Sequence, residues 1–237
     1  MLRILILLLI STQIIASTPT EKEGLTGNFD LGLNYTQNID KTLQFYNVFL
    51  ANYKYKKSVI SLNNNISFIS KTGQEEVLNK GVQDLKYSLN ANRLGADLTL
   101  QNLYDISRSI QRRWTTGIGL SYAVVKSDIE TVRFGIYTLR ERETPLIGEQ
   151  EMSTRISGSV DFSIKLLENV ELISKNHYQP NIEDGGDFRW KTNFSVRLTL
   201  NSHFLFSFNN TFNYDSLPKA DIPEMDYQLI NSLSYTF

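Results

Sequence analysis

The chain has 237 residues, 24 basic against 25 acidic, two histidines and no cysteine. Its near-zero net charge argues against the basic surface that a nucleic-acid partner requires. The lack of cysteine excludes disulfides and any thiolate metal site, and the length suits one domain of moderate size or one barrel.

At the N-terminus, Arg3 precedes an apolar run from Ile4 to Ile10, then Ser11-Thr12-Gln13, then Ile14-Ile15-Ala16-Ser17. One basic residue, a short apolar stretch and small residues at its end read as a secretory signal peptide. The run is shorter than the roughly 20 apolar residues of a spanning helix, and polar residues interrupt it. No cysteine follows it to accept a lipid. The expected organisation is a signal peptide over 1–17, a short periplasmic segment over 18–26 and a barrel over 27–237.

From there the dominant period is two. Phe29, Leu31, Leu33 and Tyr35 alternate with Asn28, Asp30, Gly32 and Asn34. The segment from Leu43 to Tyr53 is apolar on both parities, so its facing is open. Ile60, Leu62, Ile66 and Phe68 form the next apolar face, which Asn64 interrupts without a local reason. Leu85, Tyr87 and Leu89 follow, then Trp114, Ile118, Leu120 and Tyr122, each set against Ser, Thr, Asn, Gly or Lys. Ile156, Val160, Phe162 and Ile164 continue the pattern, as do Phe188, Trp190, Phe194, Val196 and Leu198. Phe204, Phe206, Phe208, Phe212 and Tyr214 lead to a tail in which Leu233, Tyr235 and Phe237 alternate with serine and threonine. Such alternation gives each strand a dry and a wet face. With weaker segments near 96–104, 132–140 and 170–178, the spacing predicts about twelve strands of about ten residues.

The connections carry a second signal. Turns after even strands are short, around Lys54–Lys57, Asn92–Gly95, Lys126–Glu130, Leu167–Asn169 and Asn201–Ser202. Those after odd strands are mostly longer: Ser70–Gln83, Asp105–Arg113, Glu141–Glu151, Gln179–Gly186 and Asp215–Glu224, with Thr36–Lys41 the short exception. Outer-membrane barrels pair short periplasmic turns with longer outer loops; a soluble sandwich has no reason to do so. Aromatic residues near strand ends fit interfacial girdles. The expected fold is therefore all-β, a transmembrane antiparallel up-and-down barrel of outer-membrane type, exported to the bacterial outer membrane as a monomer. A soluble lipocalin-like sheet shares the alternation but not the loop parity.

Three stretches resemble a known family: "LGLNYTQNIDKT" (31–42), "RRWTTGIGLSY" (112–122) and "YDSLPKADIPEMDYQLINSLSYTF" (214–237). They are similar to the salt-induced outer-membrane proteins grouped as domain of unknown function 481. The first resembles that family's hairpin, with Asn38 and Asp40 matching and Gln37 where the family favours glycine. The second resembles its arginine followed by Gly-x-Gly-x-x-Tyr. The resemblance implies location and fold more than activity. The terminal Tyr235-Thr236-Phe237 resembles the C-terminal aromatic signal that barrel assembly machinery reads, with Tyr235 and Phe237 at the periplasmic interface. The terminal strand must then pair with the first, because an open edge in lipid leaves backbone groups unsatisfied.

Chemistry is sparse. His203 lies four residues from Ser207, roughly 13 Å along a strand, beyond the reach a nucleophile and its base need. Ser202, being adjacent, is expected on the opposite face. An enzyme, of which a lipid hydrolase would be the outer-membrane form, is not expected. The acidic "EDGGD" (183–187) and Asp215, Asp221, Glu224 and Asp226 match no calcium-loop spacing and read as turn formers; neither metal nor cofactor is expected. On the wet face of the seventh to tenth strands, Arg133, Arg155, Lys165, Lys175, Arg189, Lys191 and Arg197 outnumber Asp161 and Glu171. This basic wall either draws anions, as charged rings do in pores, or is tied up by acidic residues such as Asp30 and Asp97. The first alternative makes a narrow channel or a salt-stress component of the envelope. The second makes a non-conducting barrel whose outer loops bind a partner or lipopolysaccharide.

Overall fold

The computed structural model describes residues 23–37, 41–71, 78–219 and 221–237, and for 33–37 and 41–42 the backbone only. The signal peptide expected over 1–17 lies outside the described residues. Twelve antiparallel strands close into one up-and-down barrel. They are β1 (Gly24–Gln37), β2 (Lys41–Tyr55), β3 (Ser58–Lys71), β4 (Leu78–Ala91), β5 (Leu94–Asp105), β6 (Ile110–Lys126), β7 (Glu130–Pro145), β8 (Glu151–Leu167), β9 (Val170–Pro180), β10 (Phe188–Thr199), β11 (Phe204–Asp215) and β12 (Met225–Thr236). A single 3-10 turn, Ile106–Arg108, joins β5 to β6.

The barrel is inside out relative to a soluble protein. Among the described residues the buried apolar side chains are Ile110, Ala123 and Leu139, while the other buried side chains are serines, threonine, glutamine and charged groups. Leu31, Leu62, Leu98, Ile118, Leu120, Ile136, Leu229 and Leu233 are exposed on the outer wall. A water-soluble sheet buries its apolar face; a lipid-facing barrel displays it and keeps the polar face within. The register also settles β2. Phe49 lies opposite Phe29, so Phe45, Asn47, Phe49 and Tyr53 face out, and Tyr46, Val48 and Leu50 face in.

The strands run 11 to 17 residues, longer than expected. The extra length lies at the end away from the termini, where alternation continues past the apolar belt into charged residues. Stretches expected as loops are strand there: Arg113 lies in β6, and Glu141 and Glu143 in β7. The loop parity persists in shortened form. Between β4 and β5 only 92–93 intervene, with Asn92 at φ 57, a left-handed position that asparagine tolerates. Between β9 and β10, 181–187 intervene, and between β11 and β12, 216–224.

Asn64 now has an explanation. It faces out, and so do Asn47, Gln83 and Asn102 at neighbouring positions of β2, β4 and β5. Asn102 Nδ2 donates to Gln83 Oε1 (2.7 Å), Gln83 Nε2 to Asn64 Oδ1 (3.3 Å), and Asn64 Nδ2 to Asn47 Oδ1 (3.2 Å). Asn47 Nδ2 reaches the Asp30 carbonyl oxygen at 3.5 Å. Each amide supplies its neighbour with what lipid cannot, and within this ladder Asn102 Oδ1, at the end, is buried without a partner.

The closing seam is the shortest. β1 pairs β2 from Gly24 opposite Lys54 to Gln37 opposite Lys41. It pairs β12 only through Asn28, Phe29 and Asp30, opposite Thr236, Tyr235 and Ser234. Mutual backbone bonds between Gly27 and Phe237 (3.0 and 3.1 Å) extend it downward. Gly27 is required here: a Cβ would stand 2.4 Å from the Leu50 carbonyl oxygen and 2.7 Å from the Phe237 ring. The terminal phenylalanine thus packs on the first strand. Above the last pair, the Tyr46 ring lies across Gly32 and its hydroxyl donates to the Asn231 carbonyl oxygen at 3.3 Å.

Candidate functional site in the lumen

The site is built by the inward parity of β6 to β10. Arg113 on β6, Glu141 and Glu143 on β7, Arg155 on β8 and Arg189 on β10 meet near the end away from the termini, and each is less than a tenth exposed. Arg113 binds Glu143 through Nε (2.6 Å) and Nη2 (2.5 Å). Glu141 Oε2 accepts from Arg189 Nη1 (2.6 Å) and Arg155 Nε (3.2 Å). Arg155 Nη2 grips both carboxylate oxygens of Asp187 (2.8 and 2.6 Å), and its Nη1 reaches the Gln179 carbonyl oxygen at 3.1 Å. Arg189 Nε reaches Asp215 at 3.3 Å. Short, charge-assisted contacts of this kind are the strong ones. They compensate the desolvation that buried charges suffer, and losing one partner would leave that cost uncovered.

Asp187, in the loop between β9 and β10, ties this clasp to the outside. Burial pushes its carboxyl up, but hydrogen bonds from Arg155 and Asn181 and the Arg155 charge outweigh that and hold it below the usual range. Above the clasp lies a cavity of about 250 Å³ lined by Arg108, Arg113, Arg155, Arg189 and Asp215. Leu217, Pro218 and Lys219 of the β11–β12 loop line it as well, and Lys219 pairs with Glu151 on β8.

Toward the termini the pattern changes. Lys191 lies opposite His177, and Lys175 opposite Asn193 and Asp161. Among the described residues none of these three basic groups makes an ion pair. Opposite them on the barrel, Asp84 is held by Asn63 (3.1 Å) and Gln101 (2.6 Å). Arg133 donates to Ser121 Oγ at 3.0 Å. Arg197 faces Glu171 and Ser207 in register, and Lys165 lies exposed beside Glu171. All seven basic residues singled out in the sequence thus share the inward parity, but Arg155 and Arg189 are neutralised by Glu141, Glu143, Asp187 and Asp215, not by Asp30 or Asp97. Asp97 is instead paired with Lys86 (3.0 Å) and accepts from the Tyr137 hydroxyl (2.9 Å).

The Gly-x-Gly of β6 makes that last contact possible. A Cβ on Gly119 would stand 2.0 Å from the Tyr137 ring, and one on Gly117 2.6 Å from Leu139. Two inward glycines therefore leave the space that the larger β7 side chains fill.

Ser202 requires a correction. It does not point away from His203: its Oγ lies 2.8 Å from His203 Nδ1. The pair sits in the turn between β10 and β11, where strand alternation does not apply, and both residues are exposed. The imidazole stacks on Tyr235. The acidic loop residues are engaged as turn and pairing groups. Asp184 accepts from the Gly186 N–H (2.9 Å), Asp226 pairs with Lys80 (3.5 Å) and Glu224 accepts from the Tyr214 hydroxyl (2.9 Å). Among the described residues no group of three or more His, Asp and Glu is placed to hold a metal ion.

Residues 60–237 match the family model described as "Protein of unknown function, DUF481"; the stretch 31–42 lies outside that match. No curated protein matches the chain. Among solved structures the chain is similar to the NanC porin, at 8% identity, 90% of this chain, 98% of that one and a TM-score of 0.49. It is also similar to the KdgM porin in complex with disordered oligogalacturonate (8%, 90% and 99%, 0.48). A third likeness is to an anion-selective porin from Comamonas acidovorans (9%, 90% and 98%, 0.43).

Proposed function

The chain belongs to DUF481, a family of unknown function, and we propose from its own geometry that it is a narrow outer-membrane passage for small anions, constricted at its outer mouth by the clasp. In this reading the signal peptide exports the chain, assembly machinery reads Tyr235 and Phe237, and the monomer resides in the outer membrane. The observation that carries it is the pair Lys175 and Lys191, inward-facing beside the neutral His177 and without ion pairs among the described residues. Positive charge along a lumen that no direct ion pair neutralises lowers the barrier to anions and raises it to cations. Asp84 on the facing wall sets a field across the passage.

Vesicles carrying the refolded barrel test this by osmotic swelling. Small organic anions are expected to enter faster than neutral sugars of equal size, and Lys175→Gln with Lys191→Gln to remove the difference. Equal entry of both solutes into wild-type vesicles would sink the charge-based reading. The ion-paired clasp supports a second reading, a barrel that conducts nothing and engages a partner through its outer loops. Folded, inserted and impermeable protein would favour that one.

A further inference from the structure

Three arginines turn away from the lumen. Arg112 on β6 and Arg140 and Arg142 on β7 lie on the outward parity and are exposed. Register sets Arg142 opposite Trp114, Arg140 opposite Thr116 and Arg112 opposite Thr144. Two residues along a strand span about 7 Å and neighbouring strands about 5 Å, so Arg142 stands between the other two and the three share a strip roughly 15 Å long.

Their surroundings differ from those of the arginines inside. Arg113, Arg155 and Arg189 each hold a carboxylate. Arg140 contacts only Thr154 Oγ1 (2.5 Å) and Met152 Sδ (3.7 Å), and among the described residues no carboxylate pairs with any of the outer three. Trp114, half exposed on the same face, marks the level of a membrane interface, where tryptophan concentrates. The patch straddles that level at the end of the barrel away from both termini: Arg142 lies beside Trp114, Arg112 two positions beyond it and Arg140 two positions to its membrane side, from where a long side chain snorkels outward. An unpaired guanidinium there meets lipid headgroups. Its planar fork fits phosphate oxygens two at a time, and three forks spread along that strip exceed what one phosphate can occupy.

We infer that Arg112, Arg140 and Arg142 form a binding site for an outer-leaflet lipid whose sugar headgroup carries more than one phosphate. This rests on the membrane-spanning reading of the barrel but not on whether the lumen conducts.

Native mass spectrometry of the full, folded protein in detergent tests it. The probes are bis-phosphorylated lipid A, its dephosphorylated form and inorganic phosphate. Wild-type protein is expected to keep the bis-phosphorylated lipid and shed the other two. The R112Q/R140Q/R142Q variant, shown folded by its heat-dependent gel mobility, is expected to lose the adduct. Arg93→Gln, at the opposite end, is expected to keep it. If the triple variant does not fold, Arg142→Gln alone must weaken the adduct. Equal adducts on wild type and variant, or on phosphorylated and dephosphorylated lipid, would overturn the site. Retention of inorganic phosphate as strong as that of lipid A would overturn the lipid as its ligand. A barrel that fails to insert into vesicles at all would instead remove the membrane reading, an outcome distinguishable from an inserted barrel without lipid.

Discussion

The wall from β6 to β10 and the wall from β12 through β1 to β5 handle polar groups in opposite directions. On the first, the buried charged side chains point inward and lock to one another across strands: Arg113 to Glu143, and Arg155 and Arg189 to Glu141. On the second, neutral amides point outward and pass one hydrogen bond from Asn102 to Gln83, Asn64 and Asn47. The second wall also contains the short seam, where pairing ends at Asp30 and Ser234. The difference follows from what each group can tolerate. A buried charge must be paired and is best kept in the polar lumen, whereas an amide facing lipid can be satisfied by another amide. The charged wall is therefore the more rigid, and the amide wall the more yielding.

Breaking the charged wall has the largest expected effect. Glu141→Ala leaves Arg155 and Arg189 without their shared carboxylate, and is expected to cost about 3–5 kcal/mol, read as a lower denaturant midpoint of the refolded barrel. A cost below about 1 kcal/mol, the range of exposed pairs, would mean that water already screens the clasp. Breaking the seam comes next. Gly27→Ala drives a Cβ against the Leu50 carbonyl oxygen and the Phe237 ring, an overpacking expected to cost about 1–3 kcal/mol. Hydrogen exchange should quicken in β1 and β12 while β6 and β7 stay protected. Uniform quickening would deny that the two walls differ.

The amide ladder sharpens the comparison further. Asn64→Leu strands the Gln83 donor and the Asn47 acceptor, at a cost of about 1 kcal/mol. Changing Asn47, Asn64, Gln83 and Asn102 together to leucine removes every stranded group, so it should cost less than the single change. Additive losses would show that the amides act independently. The smallest effect is that of pH on the clasp. The Asp187 carboxyl is held below the usual carboxylate range in the folded protein. Its contribution is thus present above the ordinary carboxylate range and is lost as pH falls through the depressed value. The stability difference between wild type and Asp187→Asn is expected to hold at mildly acidic pH and vanish in strong acid. A difference that grew on acidification would reverse the sign of this account.

Most of the architecture was legible because lipid forces strict alternation. The exposed Phe29, Ile60, Tyr87, Trp114, Phe208 and Tyr235 lie where period two puts them. The strand ends were less legible. "RERE" over 140–143 has no apolar residue to signal a strand, yet its alternation of sign is the pattern: Arg140 and Arg142 outward, Glu141 and Glu143 inward. Asn64 looked like a fault because its partners stand on other strands, 17 and 19 residues away. The seven basic residues were visible as a set. Which were neutralised was not, since that depends on cross-strand register and on Asp187 and Asp215 at loop edges. Ser202 and His203 were misjudged because strand parity was carried into a turn.

The most direct test is the reversal potential of the refolded barrel in a planar bilayer under a salt gradient. Stepwise openings are predicted, with a potential of the sign set by anion flow. That potential should move toward zero in the Lys175→Gln/Lys191→Gln protein, while Arg155→Ala widens the openings by loosening the clasp. A folded, inserted barrel that stays silent, or one whose potential is unmoved by the two lysines, would contradict the proposal that unpaired basic residues in the lumen carry its function.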